Sequence, residues 1–245
     1  MLKKVICPLM LVLLPIEYVQ AESLYIPSPS PSPSSTYALY PPAGSRTVTD
    51  VMNRYTPFVE PRLRRYFENV GLTYPPQNIA LFAMKQERNV ELWAKENGKW
   101  SYVKRYDIKK MSGHTGPKMR EGDKQVPEGV YQVSLLNPNS RYHLSMKLNY
   151  PNAFDRKYAQ LEGRHSPGSN IFIHGKQASV GCLAMGDYAI EELFLLAERT
   201  GIDNIEVLIS PHDPRKGKLL AANSQPYWTK ILYRDIEQHA RKFNR

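Results

Sequence analysis

From Ile79 onward the apolar residues stop recurring every three or four positions and fall into short strand-like runs, and this change of period constrains the fold more than any other feature of the chain. Ile79 to Lys85, Asn89 to Ala94 and Trp100 to Ile108 read as strands. The last two are joined through Asn97-Gly98, a pair that accepts the positive φ angles of a two-residue hairpin turn. Val130 to Leu135 and Ile205 to Ile209 add two more strands, the second closed by Ser210-Pro211. Helical spacing is confined to three places. Leu63, Tyr66, Phe67 and Val70 follow Pro61, which suits a first helical turn, and Gly71 stops the run. Asp187 reads as the cap of a helix with Ile190, Leu193, Phe194 and Ala197 on one face and Gly201 at its end. A last helix is expected from near Ser224, with Trp228, Ile231, Leu232 and Ile236 along its stripe. The expectation is a mainly β unit over residues 77–213, a helical segment over 47–76 before it and a helical extension over 214–245 after it.

The N-terminus indicates the compartment. Lys3 and Lys4 precede the apolar run Val5 to Ile16, and Val19-Gln20-Ala21 is a small-x-small cleavage pattern, so residues 1–21 read as a secretory signal peptide. The run is shorter than the roughly 20 residues a spanning helix needs, and Pro8 and Pro15 interrupt it. Residues 22–46 contain Pro27-Ser28-Pro29-Ser30-Pro31-Ser32-Pro33-Ser34-Ser35, which favours extended polyproline conformations and reads as a tether. Loss of Lys3, Lys4 and Glu17 with the signal would take the formal net charge from +10 to +9, so the exported domain is itself basic and favours anionic partners. With 42% hydrophobic and 23% charged residues, global disorder and a polytopic membrane protein are excluded.

Cysteine counting then isolates one group. The chain has 2 cysteines, and Cys7 would leave with the signal. Cys182 cannot close an internal disulfide alone, so burial, intermolecular pairing or a reactive thiol must account for it in an oxidising compartment. Its surroundings favour reactivity. A strand-like run, Ile171-Phe172-Ile173, ends on His174-Gly175, and a short turn through Ser179-Val180-Gly181 returns to Cys182. A thiol must lose its proton to attack an amide, and an imidazole within reach can accept that proton or hold the thiolate as an ion pair. The same ring can then protonate a leaving amine. Ser179 and Gly181 allow a tight turn, and the Gly181 and Cys182 amides are candidates for an oxyanion hole. No metal-ligand spacing is present, and neither a metal nor a cofactor is expected.

His174-Gly175 followed by Ser179-Val180-Gly181-Cys182 resembles the core motif of the YkuD-type L,D-transpeptidase catalytic domain family. Gly116-Pro117-Lys118, Gly122-Asp123, Pro127-Glu128-Gly129, Tyr150-Pro151-Asn152-Ala153-Phe154-Asp155 and Ala184-Met185 also match, in order, its YafK branch. The resemblance spans about residues 79 to 210. It implies a mainly β fold, a flattened β-barrel or sandwich of the L,D-transpeptidase type with flanking α-helices. It further implies a periplasmic acyltransferase in which Cys182 attacks the L-to-D amide of a peptidoglycan stem peptide and releases a D-amino acid from a thioester. On that resemblance His174 is the base and then the acid, and the Gly175 carbonyl orients the imidazole. Many members carry a second histidine just before the Gly-Cys, where this chain has Val180.

An acceptor amine resolves the thioester in a transpeptidase, whereas water makes the same site a carboxypeptidase or an amidase that releases a wall-linked lipoprotein. Lys118 and Arg120, on a glycine-containing loop, are candidates for a substrate carboxylate, and Tyr142 begins a run that suits a strand edge at the site. A non-catalytic wall-binding module is the rival class and would leave Cys182 dispensable. Nucleic acid is not an expected partner despite 16 Tyr and 3 Trp, since no basic stripe interleaves with aromatics. A monomer is expected.

Overall fold

Eight strands form a single sheet in a computed structural model that describes residues 40–244. The expected signal peptide, Cys7 and the tether up to residue 39 lie outside the described residues. In chain order the elements are α1 (Val48–Glu68), β1 (Asn78–Met84), β2 (Asn89–Glu96), β3 (Lys99–Asp107), β4 (Gly129–Asn137), β5 (Ser145–Leu148), α2 (Ala153–Leu161), β6 (Phe172–His174), β7 (Leu183–Ala184), α3 (Asp187–Thr200), β8 (Ile205–Ser210) and α4 (Thr229–Ala240). The β2–β3 turn is the hairpin its sequence calls for, with φ of 51° at Asn97 and 80° at Gly98. The strand order is β3-β2-β1-β8-β4-β5-β6-β7, with β1 antiparallel to β2 and parallel to β8.

The sheet carries a core on each face, and β1 shows why both are needed. Ile79, Leu81 and Ala83 enter one core with Val59, Leu63 and Phe67 of α1 and Leu193 and Phe194 of α3. Ala80, Phe82 and Met84 enter the other, with Trp93, Leu208 and the C-terminal residues Trp228, Leu232, Tyr233, Ile236 and Phe243. A strand buried on both sides reads as an unbroken apolar run. The C-terminal segment therefore completes the second core.

Three helix expectations are corrected. α1 begins at Val48, well before Pro61, because Thr47 and Asp50 form a reciprocal capping box. Pro57 and Pro61 are tolerated inside it because both lie on its exposed side, where water can satisfy the carbonyls they leave unbonded. Asp187 is the first residue of α3 and Gly186 its N-cap; the Asp187 carboxylate accepts the Lys176 N–H instead, at 2.7 Å. α4 starts at Thr229, with Trp228 buried at its cap. Residues 44 to 46, expected as the end of a tether, are held by Asn139, whose Oδ1 accepts from the Gly44 and Arg46 amides.

Candidate active site

β6 is only three residues long, and its last residue is His174, which is 2% exposed. Antiparallel pairing sets His174 opposite Ser145 on β5, and parallel pairing sets it level with Ala184 on β7. Ile173 is level with Leu183, so Cys182, one residue before β7, comes level with Phe172 and onto the face that carries His174. Register thus sets the two residues on one face of the sheet, two strand positions apart. No hydrogen bond joins them among the described residues; the Cys182 thiol, half-buried, donates a long bond of 3.8 Å to the Asn170 carbonyl.

His174 Nδ1 lies 2.6 Å from the Gly175 carbonyl oxygen. Because a carbonyl only accepts, the bond assigns the proton to Nδ1 and leaves Nε2 as the basic nitrogen. The Tyr142 ring stacks on the imidazole, with centroids 4.5 Å apart at 28°. Burial pulls the His174 pKa below its ordinary 6.5, partly offset by the bond to Gly175. Burial likewise pushes the Cys182 thiol up, against the pull of a bond from the Phe172 backbone and the charge of Lys118. Both shifts favour the neutral thiol and neutral imidazole over a preformed ion pair.

Gly175 admits no side chain. A Cβ there would stand 2.7 Å from both Asp187 Oδ1 and the Tyr142 carbonyl and 3.0 Å from Ile190 Cγ2. The N-terminal end of α3 and the Tyr142 backbone therefore close directly on the residue whose carbonyl holds the imidazole.

The two amides expected to line an oxyanion hole both have hydroxyl partners in this structure. Gly181 N–H donates to Ser112 Oγ at 2.6 Å and Cys182 N–H to Ser179 Oγ at 3.1 Å, while Ser179 Oγ–H donates back to the Cys182 carbonyl at 2.6 Å. Both donors are occupied by hydroxyls, and Ser179 acts as a staple across the turn. Ser112, 69 positions from Gly181, was not legible in the sequence. Val180, at the position of the family's second histidine, is 66% exposed.

Lys118 is buried, and its Nζ pairs with Asp123 and bonds the Arg120 carbonyl at 3.0 Å. Asp123 also collects the Met119, Arg120 and Gln125 amides, so the Lys118 charge has a counter-ion within its own loop. The Arg120 side chain is exposed. The loop between β3 and β4 is fixed by a buried pair at its base. Lys85 Nζ bonds Glu128 Oε1 at 3.0 Å and the Gly116 and Val126 carbonyls, Gly116 N–H donates to the same Oε1, and Tyr233 on α4 donates to Oε2.

Residues 80–209 match the L,D-transpeptidase catalytic domain family, YkuD. Over 164 residues the chain is 33% identical to the Escherichia coli K12 protein named "Putative L,D-transpeptidase YafK", an alignment covering 64% of this chain and 63% of that one. The chain thus spans under two thirds of that relative's length. Among solved structures it resembles the helical cell shape determining protein Pgp2 of Campylobacter jejuni at 19% identity and a TM-score of 0.46, covering 60% of this chain and 55% of that one. It also resembles Bd1075 of Bdellovibrio bacteriovorus at 18% identity and a TM-score of 0.41, covering 69% and 56%.

Proposed function

The chain belongs to the L,D-transpeptidase catalytic domain family, and from that premise we propose that it is an exported cysteine acyltransferase acting on peptidoglycan stem peptides. The observation that carries this reading is the tautomer and register of one pair: His174 Nδ1 is tied to the Gly175 carbonyl, and Cys182 enters β7 on the face of that imidazole. Nε2 is then the base. The thiol turns from the Asn170 carbonyl to Nε2, gives up its proton, and the sulfur attacks the carbonyl carbon of the L-to-D amide. The tetrahedral intermediate collapses as the imidazolium passes the proton to the departing nitrogen, leaving an acyl thioester on Cys182 and releasing a D-amino acid.

An acceptor amine attacks that thioester in the second half, again giving a proton to Nε2; the C–S bond breaks, the imidazolium returns the proton to the Cys182 sulfur, and the product carries a new amide. Water in place of the amine gives a carboxypeptidase, or an amidase if the departing group is the side chain of a wall-linked lipoprotein. Family membership supports peptidoglycan stem peptides as substrates, and the basic surface suits an anionic polymer. We place the protein in the periplasm as a monomer.

The test is to incubate the purified protein with a defined tetrapeptide muropeptide, with and without an amine acceptor, and to read products by mass. Loss of the terminal D-amino acid together with a new cross-link supports a transpeptidase, and loss without a cross-link supports a hydrolase. An unaltered muropeptide under both conditions, with Cys182 still reduced, would overturn the enzymatic reading in favour of a wall-binding module.

A further inference from the structure

The Tyr142 ring that covers His174 is itself held from behind. His143 adopts φ of 75°, a left-handed conformation that costs a non-glycine residue energy and persists only when neighbours impose it. This reversal lets consecutive side chains serve different partners. Tyr142 lies on the catalytic imidazole, while His143 Nε2 lies 2.9 Å from Glu191 Oε1 on α3. On the far side the His143 ring meets Tyr55 of α1 edge-on, with centroids 5.7 Å apart. The other Glu191 oxygen is 3.8 Å from Arg62 Nη2, also on α1. The segment is pinned at two further points, by the Tyr142 N–H to Ser140 Oγ and by Lys176 Nζ to the Arg141 carbonyl. α3 is also the helix whose Asp187 and Ile190 close on Gly175.

We propose that His143, through its bond to Glu191, is a positioning residue that locks the Tyr142 ring onto His174 and so holds the imidazole against the Gly175 carbonyl. The inference rests on the reading of His174 as the general base. α3 thereby sets the ring from two sides: through Gly175, which holds Nδ1, and through His143, which holds the covering aromatic. A stacked neighbour restricts the imidazole to in-plane motion and keeps water off its face, which preserves the aim of Nε2 at the thiol.

The groups facing His143 are Glu191 and, beyond it, Arg62, with Tyr55 on the α1 side. The test uses the full exported chain and two readouts: the NMR titration of the His174 imidazole and the rate of turnover. Glu191→Ala removes the anchor from the helix and leaves the left-handed backbone untouched, so it remains informative if His143→Ala folds poorly. Both variants should let water reach the imidazole and move its titration upward towards 6.5. Both should also lower kcat by at least about tenfold with KM within about twofold, the scale on which small misplacements of a catalytic group act. His143→Gln, which retains a donor for Glu191, should recover most of both, and the double variant should be no worse than either single one. An unmoved His174 titration in both alanine variants would overturn the inference whatever the turnover. A moved titration in a protein that never turns over a muropeptide would sustain the positioning role and remove the reading of the site as an enzyme.

Discussion

At the scale of single residues, the proposed chemistry turns on the protonation states of Cys182 and His174. Burial favours the neutral form of both, so the proposed mechanism calls for proton transfer during attack rather than a standing thiolate. A base whose pKa lies below 6.5 loses its proton as pH rises through that lowered value, and activity should appear with it. The acid limb of kcat/KM is therefore expected to have its midpoint below 6.5, and His174→Ala should abolish the limb while lowering the rate by about a hundredfold or more. A profile unchanged in that variant would assign the base elsewhere. The two candidates were visible in the sequence because their residue types suit thiol chemistry and only eight positions separate them. Their supports were not. Ser112 meets Gly181 across 69 positions and Glu191 meets His143 across 48, and contacts at that separation leave no local pattern.

At the scale of elements, the longer strands were readable from their apolar runs and turn residues, while the pieces near the candidate site were too short to show a period. β6 has three residues and β7 two. α2, nine residues long, announces itself only through the Asn152 and Asp155 capping box, a signal shared with many turns. Asp155 supplies a test of this element. Burial pushes its carboxyl up to about 6 from an ordinary 3.8, so between those values the folded protein binds more protons than the unfolded chain and stability falls as pH rises. The effect amounts to at most about 3 kcal/mol. Asp155→Asn keeps an acceptor for the Asn152 amide without the titration, and chemical denaturation should show it gaining on the wild type between pH 4 and pH 7. A constant difference across that range would contradict the account.

The loop between β3 and β4 depends on an equally local device. Glu128→Ala would strand the buried Lys85 ammonium, the Gly116 amide and the Tyr233 hydroxyl together, and should cost about 3–5 kcal/mol, the usual penalty for breaking a buried pair by one partner. Replacing both members by apolar residues of similar size should cost less than the single change. Equal losses would mean that the loop's order does not rest on the charge pair.

At the scale of the whole molecule, the two flanking helical segments are parts of one double-cored sheet. Periodicity located both segments but not their seats, because an apolar stripe states that a helix packs without stating against what. Phe243 fits against Phe82, Trp93 and Trp100, and Tyr233 reaches from α4 to the carboxylate that orders the β3–β4 loop. Removing residues 214–245 should therefore abolish cooperative unfolding of the remainder, and a truncated protein with an unaltered thermal transition would show that the second core is dispensable.

The central claim is that Cys182 carries the acyl group, and intact-protein mass spectrometry after rapid acid quench of a reaction with a tetrapeptide muropeptide tests it most directly. The wild type should gain one mass equal to the muropeptide less its terminal D-amino acid, mapped to Cys182, while Cys182→Ala and Cys182→Ser retain their fold and gain nothing. An adduct on Ser179, or D-amino acid release by Cys182→Ala at the wild-type rate, would contradict the thioester mechanism.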